Sequence, residues 1–162
     1  MKLISDAGPI IGLAKIGQIF LLKKLATEVL IAPFVQKELY GRIGAESELI
    51  DQALDDFIQV ARPKNLENES YETIKPLDEG ERQSICLAAS FKNDAILLID
   101  DRAGRQAAED LGIPKTGLVG ILILAKQKGY IDNIALLLQQ LRHAGYWLSD
   151  EVIAVARKLA KE

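Results

Sequence analysis

The sequence predicts an α/β protein, an α/β/α sandwich around a central, mostly parallel sheet of four to five strands. Three observations carry that prediction. Short runs of branched aliphatics, such as Leu3-Ile4, Val29-Leu30-Ile31 and the stretch from Ala95 to Ile99, alternate with stretches at helical spacing. The runs are apolar throughout rather than in alternate positions, which is the pattern of strands covered on both faces. The first and fourth strand-like runs also stop abruptly on acids, at Asp6 and at Asp100-Asp101, and a helical pattern follows at once.

Taken in order, residues 2–5 form a short buried strand ending at Asp6. Gly8-Pro9 opens a helix, because proline is pre-set for a first helical turn. Its apolar side is Ile10, Ile11, Leu13, Ala14 and Ile16, and Gly17 ends it. Residues 19–25 give a second short helix and 28–32 a second strand. From Pro33 a helix carries Val35, Leu39 and Tyr40 on one side with Glu38 beside them. Residues 45–57 are amphipathic at helical spacing, with Leu49, Ile50, Ala53, Leu54 and Phe57 apolar, and Ile58-Gln59-Val60 is a third strand. Arg62 to Pro76 is polar, holds two prolines and shows little periodicity, so it is read as a long loop.

Asp78-Glu79-Gly80-Glu81 starts the clearest helix, continued by Ile85, Ala88, Ala89 and Phe91. Asn93-Asp94 turns into the strand 95–99, and a helix from Arg102 to Leu111 is stopped by Gly112. Residues 113–116 make a short edge strand, and Thr116-Gly117 opens a helix running to Lys128. Two more helices, 131–144 and 149–161, complete the chain. The last, apolar at Val152, Ile153, Val155, Ala156 and Leu159, must bury against the body of the domain or a partner chain. The expected organisation is one domain over residues 1–162, with about 131–162 as a C-terminal extension or interface.

Composition narrows the function. With 162 residues, 49% hydrophobic and 27% charged, the chain suits one soluble domain with a substantial core. The net charge of −3 gives no whole-surface attraction to nucleic acid, though basic residues can still ring an acidic pocket. Cys86, the sole cysteine, lies in an apolar run and reads as a small buried hydrophobe. With one cysteine and one histidine, His143, neither Cys/His zinc spacing nor a Ser-His-Asp triad is supported. No apolar stretch approaches the roughly 20 residues of a membrane span, and the start lacks a signal-peptide layout. A cytoplasmic protein without a membrane partner is expected.

The acids that matter are Asp6, Glu38, Glu81, Asp100 and Asp101. In open α/β sheets ligands bind beyond the carboxyl ends of the strands. Carboxylates converging there suit Mg²⁺ or Mn²⁺, which prefer oxygen ligands and serve phosphodiester hydrolysis. Each acid also has a structural role open to it. Asp6 could cap the helix after it, Asp78 and Glu81 fit a capping box, Asp100 or Asp101 could cap the helix from Arg102, and Glu38 could be a solvated charge. Arg102, Arg105, Lys115 and Thr116 follow the strand ends and could hold phosphate, assisted by helix N–H groups. Alternatively the arginines balance Glu109 or Asp110, and Thr116 is an ordinary N-cap. Tyr146-Trp147 reads as core or interface packing.

Several stretches together resemble PIN-domain proteins, in a branch close to the VapC-like toxin ribonucleases. They are Ser5 to Ala14, Pro33 to Leu39, Leu77 to Ala88, Leu97 to Arg102 and Thr116-Gly117. The resemblance runs from residue 2 to about 128. It implies an acidic pocket binding Mg²⁺ or Mn²⁺, with Asp6 matching the first family aspartate and Glu38 the second acid. Glu81 matches the acid of the mid-chain helix, and Asp101, with Asp100 beside it, the acids after the fourth strand. Asp6, Glu38, Glu81 and Asp101 are then the catalytic candidates, and Asp6, Glu81, Asp100 and Asp101 the metal ligands. Gly8 stands where the family often has Ser or Thr, and Glu81 where many members have aspartate.

The resemblance further implies a metal-dependent ribonuclease, the toxin of a toxin–antitoxin pair, with RNA as substrate, a small antitoxin as partner and a homodimeric state. The alternative is a catalytically silent PIN-like module that binds RNA or protein. A phosphoacceptor domain fits less well, because such receivers place their acid pair after the first strand and here it follows the fourth.

Overall fold

The computed structural model describes all 162 residues. Five strands, β1 (Lys2–Ser5), β2 (Glu28–Ile31), β3 (Ile58–Val60), β4 (Ala95–Leu98) and β5 (Lys115–Thr116), pair in the order β3-β2-β1-β4-β5. Every pairing is parallel. The chain first builds outward from β1 through β2 to β3, then returns to the other side of β1 for β4 and β5. The order therefore reverses between β1 and β4, and a crevice opens there at the carboxyl edge. The β1–β4 register sets Ser5 against Leu98, and the Asp6 N–H donates to the Leu98 carbonyl at 3.0 Å.

Ten helices cover the sheet. They are α1 (Ala7–Lys15), α2 (Leu21–Leu25), α3 (Pro33–Tyr40), α4 (Glu46–Asp56), α5 (Asn68–Ile74), α6 (Glu79–Ser90), α7 (Arg102–Asp110), α8 (Leu118–Gln127), α9 (Ile134–His143) and α10 (Asp150–Leu159). Alternate strand residues feed two cores. Leu3, Val29, Ile31 and Leu98 pack with α1, α3, α4, α8 and α9, whereas Ile4, Leu30, Leu97 and Ile99 pack with α6 and α7. Cys86 is buried in the second of these cores, and its thiol is pushed up first by burial.

One stretch departs from the sequence expectation. The segment 62–76, read as a loop, contains α5. Its only fully buried side chain is Ile74, so it shows no apolar stripe for periodicity to detect. Tertiary contacts support it instead: the Arg82 guanidinium of α6 donates to the carbonyls of Lys75 and Leu77 just beyond the end of α5. Thr116 is not an N-cap either. Gly117 holds that position, and the Leu118 N–H donates to Asp100 Oδ1 at 3.0 Å.

The last two helices differ in how they attach. From α9, Ile134, Leu137, Leu138 and Leu141 are buried in the larger core. From α10 only Ala156 is buried, followed by Ala160 beyond its end, with Ile153 packed at the margin. Val152, Val155 and Leu159, at i, i+3 and i+7, form a stripe that is 40–54% exposed.

Leu138 is fully buried, so Leu138→Ala should cost about 2–5 kcal/mol through lost burial and the cavity left behind. In urea unfolding, a single transition shifted to lower midpoint with unchanged slope is expected. A second, separate transition would show that α9 is not part of the cooperative unit.

Candidate active site

The site lies at the carboxyl edge beside the β1–β4 crevice. Asp6 directly follows β1, and Asp100 and Asp101 follow β4 one residue after Ile99. Pro33, at the first position of α3, starts the helix that carries Glu38. The Phe34 N–H in the first turn of α3 donates to Gln83 Oε1 at 3.1 Å, which locks α3 to α6. Glu38 thereby faces the first turn of α6. A Cβ on Gly80 would collide with Glu38 Oε1 and stand 3.5 Å from Asp6 Oδ1. The missing side chain at Gly80 is what lets these two acids share one space.

Four more acids close the ring, each held by a backbone N–H at a helix start. Asp78 and Glu81 form a full capping box on α6. Asp78 Oδ1 accepts from the Glu81 N–H at 2.8 Å, and the Asp78 N–H donates to Glu81 Oε2 at 3.2 Å. Asp101 is the N-cap of α7, where Oδ2 accepts from the Gly104 N–H at 2.8 Å. Asp100 accepts from Leu118 with one oxygen and from the Tyr146 hydroxyl with the other. Asp6 occupies the N-cap position of α1 but makes no side-chain cap bond. Its carboxylate is left available.

Electrostatics show that the six acids act on one another. Asp6 is pushed up to about 6, first by burial and then by Asp78, Asp101 and Asp100, against the help of the Ala7 N–H. Glu81 is pushed up to about 7, first by burial and then by Asp78 and Asp101, with a smaller push from Asp6. Glu38 is raised by burial, then by Asp6 and Asp78. The Tyr146 phenol is held far above its usual range by burial and by Asp100, so it stays a donor.

No lysine or arginine forms an ion pair with these acids. The seven ion pairs of the protein all lie elsewhere, and none includes Asp6, Glu38, Asp78, Glu81, Asp100 or Asp101. No three acidic, histidine or cysteine side chains stand as a ready-made ligand set. The donor set still fits a hard divalent cation, which takes one or two carboxylates and completes its shell with water and phosphate oxygens. The space that a Gly80 side chain would fill lies among these oxygens.

The four candidate phosphate contacts fare differently. Arg102 is exposed on the first turn of α7, next to Asp101, and takes part in no ion pair. Arg105 donates to the Ile99 carbonyl at 3.1 Å, and a Cβ on Gly117 would stand 2.9 Å from its Nη1 and 2.5 Å from Asp100 Oδ1. Arg105 thus braces the strand end beside Asp100 rather than balancing Glu109 or Asp110. Lys115 pairs with Glu109 at 2.9 Å, and Gln106 donates to Asp110. The Thr116 hydroxyl donates to the Gly117 carbonyl at 3.4 Å.

Two members of the site escaped the sequence reading. Asp78 was visible only as a cap, although its place two residues before Gly80 puts it on the same turn as Glu81. Tyr146 was read as packing. It lies 46 residues from Asp100, and no local pattern links the two.

The acids of this all-parallel α/β sandwich thus meet at its topological switch point. The family model DUF3368, described as a PIN domain, matches residues 2–162. The chain belongs to the PIN-domain family, whose members are generally nucleases and typically use divalent metals. No curated protein matches it. The match takes in α9 and α10, beyond residue 128 where the motif resemblance fades. No helix is long and apolar enough to cross a membrane.

The raised carboxyls fix the sign of one pH effect. In the folded protein Asp6 and Glu81 bind protons up to about pH 6 and 7, above the ordinary carboxylate range of the unfolded chain. Folding then takes up protons between roughly pH 4 and 7, so their contribution to stability falls as pH rises through that window. Melting in chelator should show Asp6→Asn gaining on wild type from pH 4.5 to 7.5. Mn²⁺ should stabilise wild type at pH 7.5 and not at pH 4.5. A constant difference between the two proteins across that range would contradict the acidic cluster.

Proposed function

We propose that this protein is a metal-dependent ribonuclease hydrolysing RNA phosphodiester bonds. The observation that carries this reading is the convergence of six carboxylates, none of them ion-paired to a lysine or arginine. Such an arrangement costs stability, and a divalent ion followed by a phosphate backbone would offset it. Asp6, Glu81 and Asp101 would be the principal ligands for Mg²⁺ or Mn²⁺, with Glu38 and Asp100 completing the pocket directly or through water. The bound ion would polarise the phosphoryl oxygen and make a water acidic enough to react near neutral pH. Arg102 is the free cation beside the acids and would steady the substrate backbone, while Arg105 would hold the β4 end in place.

The proposed biological role is the toxin of a toxin–antitoxin pair in the cytoplasm, restrained by a small antitoxin. It rests on the motifs shared with the VapC-like branch. A homodimer is supported by the uncovered stripe Val152, Val155 and Leu159 on α10.

Calorimetric titration of Mn²⁺ into wild type and Asp6→Ala, followed by incubation with a mixed RNA pool, tests the activity. Wild type should bind and cut. Asp6→Ala and Asp101→Ala should lose cleavage by at least about a hundredfold while melting as folded proteins. Cleavage by Asp6→Ala at the wild-type rate would sink the assignment. An absence of Mn²⁺ binding in wild type would point to the silent RNA- or protein-binding module instead.

A further inference from the structure

We propose that Tyr146, from the connection between α9 and α10, is a positioning residue for the acidic pocket and acts through Asp100. This rests on the metal-binding reading of that pocket. Its support is the geometry around one hydroxyl and one glycine.

Tyr146 reaches the site from a distant part of the chain. Its N–H donates to the Leu141 carbonyl at 3.0 Å, and Gly145 before it takes a φ of +93°, a turn open chiefly to glycine. The ring then lies over α1. A Cβ on Gly12 would stand 3.0 Å from Tyr146 Cε2 and 2.6 Å from Leu118 Cδ1. Gly12 therefore leaves the space in which the tyrosine ring and the start of α8 meet. From that seat the Tyr146 hydroxyl donates to Asp100 Oδ2.

Asp100 is thereby gripped at both ends. The Leu118 N–H holds Oδ1 and the phenol holds Oδ2, while the two lone pairs of each oxygen leave one per atom to face an ion or its water. Groups that orient a metal-binding carboxylate from behind typically matter 10–100-fold to affinity. The C-terminal segment is thus part of the site and not only an interface. Without the phenol, Asp100 would keep a single tether and could rotate about its cap bond.

Tyr146→Phe keeps the ring against Gly12 and removes only the hydroxyl. Calorimetry with Mn²⁺ should be run on wild type, Tyr146→Phe, Asp100→Asn and the double variant, with melting curves as the check of folding. Tyr146→Phe should weaken Mn²⁺ binding about tenfold. The double variant should bind no more weakly than Asp100→Asn, because the phenol acts only through that carboxylate. RNA cleavage at saturating Mn²⁺ should recover most of the wild-type rate in Tyr146→Phe. Unchanged affinity in Tyr146→Phe would overturn the proposal, and so would an equal loss on the Asp100→Asn background, which marks a packing role. If wild type bound no Mn²⁺, the pocket reading itself would fall, a result distinct from either of these.

Discussion

The parallel pairing of β1 with β4 is the contact on which the site depends. Because Ser5 stands level with Leu98, the residues that follow both strands leave the sheet at the same height. Asp6, Asp100 and Asp101 are carried to one crevice by the pairing of these two strands. A slip of one residue would turn the buried side chains of a strand to the opposite face, and both cores forbid it. The apolar packing of Leu3, Ile4, Leu97 and Leu98 therefore fixes where the charges sit. The placement of these charges is a consequence of core packing.

What keeps so much negative charge together is the start of several helices. Asp78 caps α6, Asp101 caps α7, Asp100 receives the first N–H of α8, and Asp6 stands at the N-terminus of α1. Each helix start presents unpaired N–H groups and the positive end of its dipole, worth about 0.3–1 kcal/mol per nearby anion. Four such ends offset charge that no ion pair neutralises. They also differ from side-chain cations in one useful way. A helix terminus offsets charge without placing a side chain in the cleft, so the space beside Gly80 is left to the carboxylates of Glu38 and Asp6.

How much of this was legible in the sequence follows from the same physics. The α/β class, the strand positions and the acids after β1 and β4 were readable because buried parallel strands are continuous apolar runs with abrupt ends. The helix α5 was not, since one buried isoleucine leaves no periodic pattern and its support comes from Arg82 on another helix. Glu38 and Glu81 were visible as acids of helices, but only the Gln83 bond to Phe34 and the small Gly80 bring them to one place. Tyr146 was the hardest. Its partner is set by the path of the chain over α1, and nothing in the neighbourhood of Tyr146-Trp147 records that path.

Capping and ligation, both open for each acid in the sequence, are compatible in three dimensions. A carboxylate has two oxygens. Asp78, Glu81 and Asp101 each commit one of them to a backbone N–H and keep the other. The bond to the backbone fixes the direction in which the remaining oxygen points, as outer contacts do for metal-binding groups generally. Capping is thus the means by which these side chains are aimed, at the cost of little side-chain freedom beyond what the helix start already takes. Asp6 differs from Asp78 and Asp101: at the N-cap position of α1 it makes no side-chain cap bond, so the helix start aims it least. Its carboxyl and that of Glu81 are each raised first by burial and then by three neighbouring acids, so removing either should relieve the repulsion.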